Sequence, residues 1–323
     1  MEVPKLIKLK EYLDFASLAG ELLKYKTLGK EKPFILTWSL TNRCNLDCSY
    51  CGLPGLTTPE LSSEELFNYL DTAIKENLKV LSLTGGEPLV HKDFEKFVTK
   101  ARSNGVLISV NSNGILVPKK IDFLKRNCFQ VVISLDGIES TNDMYRGDGS
   151  FTKAVEALRL LKKEGIKTHA CCVFTRDNYN RLNEILDFAK TIDVPFSFQP
   201  VAELKLTYEP YDKAMSKEQI LEAVEFMINE KKKGNKYLKN SLTSLEYWKS
   251  LYTEDLIARC FAGKLFARVE VNGDLKKCGR VQEVIPYKEL KNIGLAASFK
   301  KLKDFDECTS CEAWSAFNSN SVL

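Results

Sequence analysis

From Phe34 onward, short apolar runs alternate with longer segments whose apolar residues recur every three or four positions. The short runs are 34–40, 79–84, 106–111, 130–135, 166–174 and 194–199, rich in β-branched and aromatic residues. They read as strands. The segments between them, near 62–76, 92–104, 118–127, 150–164 and 180–191, read as helices. Ser62 and Glu65 have the spacing of a capping box. Phe151, Ala154, Val155, Leu158 and Leu161 recur at helical spacing and read as core. Strands alternating with helices predict a parallel sheet of the α/β class with right-handed crossovers. Six units fall short of the eight in a closed barrel. A partial barrel and a doubly wound sheet both fit, and both put chemistry at the C-terminal ends of the strands.

Other segments break this rhythm. Residues 1–33 form an extension with a basic amphipathic stretch over 5–28, whose apolar set includes Leu6, Leu9, Leu13, Ala16, Leu22 and Leu23. It is expected to be a helix that packs on the main domain or meets a membrane surface or partner. Residues 34–202 hold the six units. Residues 203–258 read as two helices, roughly 216–233 and 243–256, separated by Lys231-Lys232-Lys233-Gly234. In the last segment, 259–323, Asn272-Gly273 between two strand-like runs predicts a hairpin.

Composition narrows the chemistry. The formal charge of the 323 residues is +4, too mild to suggest nucleic acid, and none is expected as a partner. No apolar run approaches the ~20 residues that span a bilayer, and no signal-peptide core is visible, so a cytoplasmic protein is expected. Ten cysteines against two histidines point to thiolate ligands rather than disulfides or histidine-rich metal sites.

Cys44, Cys48 and Cys51 follow the first strand with the spacing C-x3-C-x2-C. Three thiolates in so short a loop suit a soft-metal centre. On a [4Fe–4S] cluster they leave one iron free. A zinc site with its fourth ligand elsewhere is the alternative. Thr84-Gly85-Gly86-Glu87-Pro88 ends the second strand. Its glycines permit close backbone approach, and Glu87 with exposed backbone can hold an ammonium group. Ser112 and Asn113 end the third strand, and Ser134 with Asp136 ends the fourth. These small polar groups stand where ribose hydroxyls or a carboxylate would bind.

Over residues 34–200 this arrangement resembles the radical S-adenosylmethionine (SAM) superfamily. The resemblance implies a partial (β/α)6 barrel whose [4Fe–4S] cluster, on Cys44, Cys48 and Cys51, cleaves SAM to a 5′-deoxyadenosyl radical that abstracts a substrate hydrogen. It implies an adenine-side position for Tyr50 and a SAM-binding GGEP motif at Gly85, Gly86, Glu87 and Pro88. It further implies SAM or active-site contacts from Ser134, Asp136 and Arg146.

Cys260, Cys278, Cys308 and Cys311 lie beyond the six units, as C-x12-G-x4-C followed by C-x2-C. The hairpin is expected to bring Cys260 and Cys278 together. Four thiolates complete either one zinc site or one cluster. The pattern is similar to the opening of the SPASM domain. With no cysteine after Cys311, it is similar to the shortened twitch version with one auxiliary [4Fe–4S] cluster, suited to electron transfer. Cys128, Cys171 and Cys172 read as small buried hydrophobes, one of them a candidate pocket residue.

The resemblance implies net oxidation or C–C/C–S bond formation on a small molecule, peptide or lipid, with flavodoxin or ferredoxin as reductant. A lipid-modifying enzyme docked through the N-terminal helix is one alternative. A non-catalytic zinc or iron–sulfur scaffold or sensor is another, though it leaves the polar strand ends unexplained.

Overall fold

The computed structural model describes residues 34–201, 215–253, 262–279 and 283–302, with five positions between 16 and 23. The predicted N-terminal helix lies largely outside these residues, and Cys260, Cys308 and Cys311 lie wholly outside them.

Six strands appear close to where the pattern puts them: β1 (Ile35–Thr41), β2 (Val80–Gly85), β3 (Leu107–Ser112), β4 (Gln130–Ser134), β5 (Lys167–Phe174) and β6 (Phe196–Pro200). Between them run α1 (Ser63–Lys75), α2 (Phe94–Ser103), α3 (Val117–Asn127), α4 (Glu139–Arg146), α5 (Ser150–Lys163) and α6 (Leu182–Ile192). The capping box at Ser62 is formed: its hydroxyl accepts from Glu65 N, and the Glu65 carboxylate accepts from Ser62 N. Helices α7 (Lys217–Lys232) and α8 (Leu242–Thr253) occupy the predicted insert. The hairpin is β7 (Phe266–Val269) and β8 (Leu275–Lys276), followed by α9 (Tyr287–Ile293) and α10 (Leu295–Lys301).

The sheet order is β6-β5-β4-β3-β2-β1-β7-β8. The first six strands are parallel and lie in sequence order. A doubly wound sheet reverses its order at a switch point. This one does not, so right-handed crossovers keep its helices on one face, as in a barrel. The sheet is open. The hairpin is no separate layer: β7 pairs in parallel with β1, with Ile35 opposite Phe266 and Trp38 opposite Val269. A boundary near residue 258 therefore separates chain segments but not sheets.

Alternation gives each strand two faces. Leu36, Trp38, Leu81, Leu83, Ile108 and Val110 belong to one hydrophobic core with Leu70 of α1, Phe97 of α2 and Leu158 of α5. The opposite face differs by level. Its lowest row is apolar: Phe266, Ile35, Val80 and Leu107 stand side by side. The next row is polar across the sheet: Lys276, Arg268, Thr37, Ser82, Ser109 and Gln130.

Candidate functional site

The parallel sheet brings the predicted site residues to one edge, because every C-terminal strand end points the same way. β1 ends at Thr41 and enters the cysteine loop. That loop is docked on the end of β2: Gly86 N donates to Thr41 O at 2.7 Å and Glu87 N to Arg43 O at 2.9 Å. A Cβ on Gly85 would collide with the Thr41 carbonyl, and one on Gly86 with the Arg43 carbonyl. The close approach that these glycines permit is thus to the cysteine loop itself. On the outer side, Thr41 Oγ1 donates to Glu60 Oε1, and Arg43 Nη2 pairs with Glu60 Oε2 at 3.2 Å.

Glu87 departs from the expectation of a ligand-facing carboxylate. It is fully buried. Its Oε2 accepts from Asn113 N at 2.8 Å and Ser112 Oγ at 3.1 Å, and its Oε1 accepts from Leu89 N at 3.1 Å. Burial pushes its carboxyl up to about 7, against the pull of these three donors. Its side chain splints the ends of β2 and β3. Pro88, also buried, opens a single turn at Pro88–Val90.

Cys44, Cys48 and Cys51 are free and partly exposed. Burial pushes the Cys44 thiol up, and pushes Cys48 up to about 11. Mutual repulsion adds to this in both, so the three sulfurs share one field. Two side chains present N–H groups to them. Asn113 Nδ2 lies 3.8 Å from Cys44 Sγ and donates to Asn45 Oδ1 at 2.7 Å. Arg146 Nη1 lies 4.0 Å from Cys48 Sγ.

Arg146 belongs to a buried polar knot. Its Nε donates to Asp136 Oδ2 at 2.6 Å, and its Nη2 donates to the Tyr50 hydroxyl. Tyr50 Oη donates to the same Asp136 oxygen at 2.6 Å. Asp136 Oδ1 accepts from Val173 N at 2.9 Å. The Asp136 and Arg146 side chains are 0% and 9% exposed, so the pair is internal rather than a surface ion pair. Burial alone would lower the guanidinium pKa; Asp136 and Tyr50 outweigh it and raise it. The knot ties the cysteine loop to the ends of β4 and β5 and to α4.

Several supporting residues carry no local sequence signal. Asn178 Nδ2 donates to Asp136 O at 2.9 Å, Asn142 Oδ1 accepts from Asp136 N at 3.0 Å, and the Tyr145 and Thr175 hydroxyls are 2.6 Å apart. Cys128 and Cys172 are buried as expected, whereas Cys171 is partly exposed on the polar face, level with Ser134 and Ser197.

The donor set fits a cluster: three free thiols in one loop, flanked by N–H donors. Among the described residues, no three Cys, His, Asp or Glu side chains converge closely enough to hold a single ion. Cubane ligands each take a separate iron and need not converge. At the second cysteine group, Cys278 is buried beyond β8. A Cβ on Gly263 would meet Lys277 Cγ at 3.2 Å and Leu302 Cβ at 3.3 Å. Gly263 thus joins three chain segments, each close in sequence to one of the predicted auxiliary ligands or ligand pairs.

A singly wound open sheet with a three-thiol loop after its first strand, and polar clusters on the next strand ends, offers the ligand set of a soft-metal centre. Residues 38–189 match the model of the Radical SAM superfamily, and the chain carries a radical SAM domain. It is 30% identical over 188 residues to the Fe-coproporphyrin III synthase of Methanosarcina barkeri, covering 56% of this chain and 46% of that protein. It is 34% identical over 171 residues to the mycofactocin maturase MftC of Mycobacterium ulcerans, covering 51% and 46%. The matched region thus spans under half the length of these relatives. In fold the chain is similar to Streptococcus suis SuiB bound to S-adenosylmethionine, with a TM-score of 0.66, 16% identity, and 88% and 71% of the two chains covered. No helix among the described residues is long and apolar enough to cross a membrane.

Proposed function

We propose that this protein is a radical SAM enzyme whose C-terminal segment carries an auxiliary iron–sulfur cluster. The observation that carries the reading is the three-thiol loop clamped against Gly85-Gly86 and flanked by Asn113 and Arg146. Cys44, Cys48 and Cys51 would hold a [4Fe–4S] cluster, which supplies the electron that cleaves SAM to a 5′-deoxyadenosyl radical. The chain's own residues do the positioning. Gly85 and Gly86 fix the loop against β2. Glu87 holds the ends of β2 and β3 in register. Asp136 orients Arg146 toward Cys48, where its N–H groups face the sulfurs and tune them. Ser134 and Asn113 lie on adjoining strand ends as candidate SAM contacts, whereas the buried Ser112 hydroxyl is taken up by Glu87 and Gly114 N.

Cys260, Cys278, Cys308 and Cys311 would hold the auxiliary cluster. The meeting of their flanking segments at Gly263 supports this. β8 runs antiparallel to β7, so Cys278 continues toward the start of β1, while Cys44 follows its end. Six residue intervals separate those levels, about 20 Å. The reaction in this reading is a net oxidation or bond formation on the substrate, with flavodoxin or ferredoxin supplying the electron for SAM cleavage.

Anaerobic reconstitution with iron and sulfide, followed by dithionite and SAM, tests the reading. 5′-Deoxyadenosine is expected. Its absence from a fully loaded protein would favour a scaffold.

A further inference from the structure

We infer that the substrate is a hydrophilic peptide segment carrying carboxylates, bound along the polar face of the sheet with Arg268 reading its charge. This deepens the proposed enzyme reading and rests on it.

The face opposite the hydrophobic core is graded. Above the apolar row that ends in Phe266, each level toward the site is dominated by hydroxyls and amides. Thr37, Ser82, Ser109 and Gln130 form one continuous row across β1 to β4. Asn111, one level higher, donates to Ser82 Oγ at 3.2 Å and to Leu83 O at 3.3 Å. Thr37, Ser82, Asn111 and Gln130 are partly exposed, whereas Leu36, Leu81, Ile108 and Val131 on the other face are fully buried. An acyl chain against this wall would strip water from the hydroxyls and return no hydrogen bond. A peptide offers amide N–H and C=O groups that pair with them. Between the apolar row and the strand ends, β1 to β4 present no aromatic side chain to this face, so a flat ring finds no stacking partner on those strands.

The charge sits at the hairpin end of the same row. Arg268 Nη2 donates to Ser39 Oγ at 2.7 Å, and its Nε pairs with Glu270 at 2.9 Å. Lys276 stands 3.6 Å from the same carboxylate. Two cations thus share one anion. The rest of the Arg268 fork makes no further hydrogen bond among the described residues. A carboxylate accepts two parallel N–H groups from such a fork. The hairpin that carries a predicted auxiliary ligand also supplies this cation, so substrate docking and the second cluster share one element.

The test is calorimetric titration of the anaerobically reconstituted full chain with SAM present. The probes are tetraglutamate and tetraglutamine peptides, both acetylated and amidated at their ends, and ADP. The tetraglutamate peptide is expected to bind at least tenfold more tightly than the tetraglutamine peptide and than ADP, and to weaken with added salt. Arg268→Gln is expected to lower tetraglutamate affinity about tenfold with little change for tetraglutamine. If Arg268→Gln does not fold, Lys276→Gln is expected to lower tetraglutamate affinity about threefold. Equal affinity for the two peptides, preference for ADP, or undiminished tetraglutamate binding in the folded variants would overturn the inference. Wild-type 5′-deoxyadenosine formation is measured separately. Selective tetraglutamate binding without it would sink the enzyme reading and leave the binding surface standing.

Discussion

Replacing Asp136 with alanine probes the internal ion pair that braces the site. Asp136 carries the sole acid of a knot in which Arg146 Nε and Tyr50 Oη both donate to Oδ2, while Val173 N donates to Oδ1. Both charged side chains are almost completely shielded. Deleting the carboxylate therefore leaves a buried guanidinium without its counter-ion, a change that costs about 3–5 kcal/mol. Each hydrogen bond to a charged group is itself worth roughly 1.5–3 kcal/mol, so the larger figure is reached even with some relaxation. Arg146→Ala strands the carboxylate instead and is expected to cost a similar amount. The double variant strands neither charge. Its loss is expected to fall short of the sum of the two singles by about 2–3 kcal/mol. Urea unfolding of the four metal-free proteins under reducing conditions measures the cycle. Additive losses, or an Asp136→Ala loss below ~1 kcal/mol, would mean instead that the pair is solvated or uncoupled.

Three further outcomes are expected. Gly86→Ala would drive a methyl group into the Arg43 carbonyl, so the loop lifts from β2 and iron uptake in reconstitution falls severalfold; wild-type uptake would contradict the clamp. Glu87 has a folded pKa of about 7, above its unfolded value near 4.5. The folded state therefore holds its proton more tightly. Glu87's contribution to stability is full below about pH 4.5 and is lost as pH rises through 7, by roughly 3 kcal/mol. Glu87→Gln is expected to flatten that pH slope in urea unfolding, and an unchanged slope would count against the assignment. Cys278→Ala is expected to spare some uncoupled SAM cleavage while product is lost, whereas Cys48→Ala abolishes cleavage; equal loss in both would contradict the division of labour.

Much of this architecture was readable before any coordinates. The six strand runs and their helices have strong periodicity, and the cysteine loop has a spacing that few other structures need. What escaped was non-local or weakly patterned. α4 is short and polar, and Glu139 to Arg146 follows a Ser-Leu-Asp-Gly segment that reads as a turn. The hairpin at Asn272-Gly273 is a local signal, but its parallel pairing with β1 joins residues more than 200 positions apart. Glu87 carries the chemistry of an ammonium ligand, yet the backbone of Asn113 claims it. No spacing rule foretells that choice. The polar face of the sheet was hidden for a related reason: Ser82, Ser109 and Gln130 line up only once the register is known.

In the proposed enzyme, three thiolates hold an iron cube and leave one corner for SAM. Electron paramagnetic resonance of the dithionite-reduced Cys260→Ala/Cys278→Ala protein, which retains Cys44, Cys48 and Cys51, tests it most directly. A [4Fe–4S]⁺ signal that changes on adding SAM is expected. Zinc in place of iron, or a cluster signal indifferent to SAM, would contradict it.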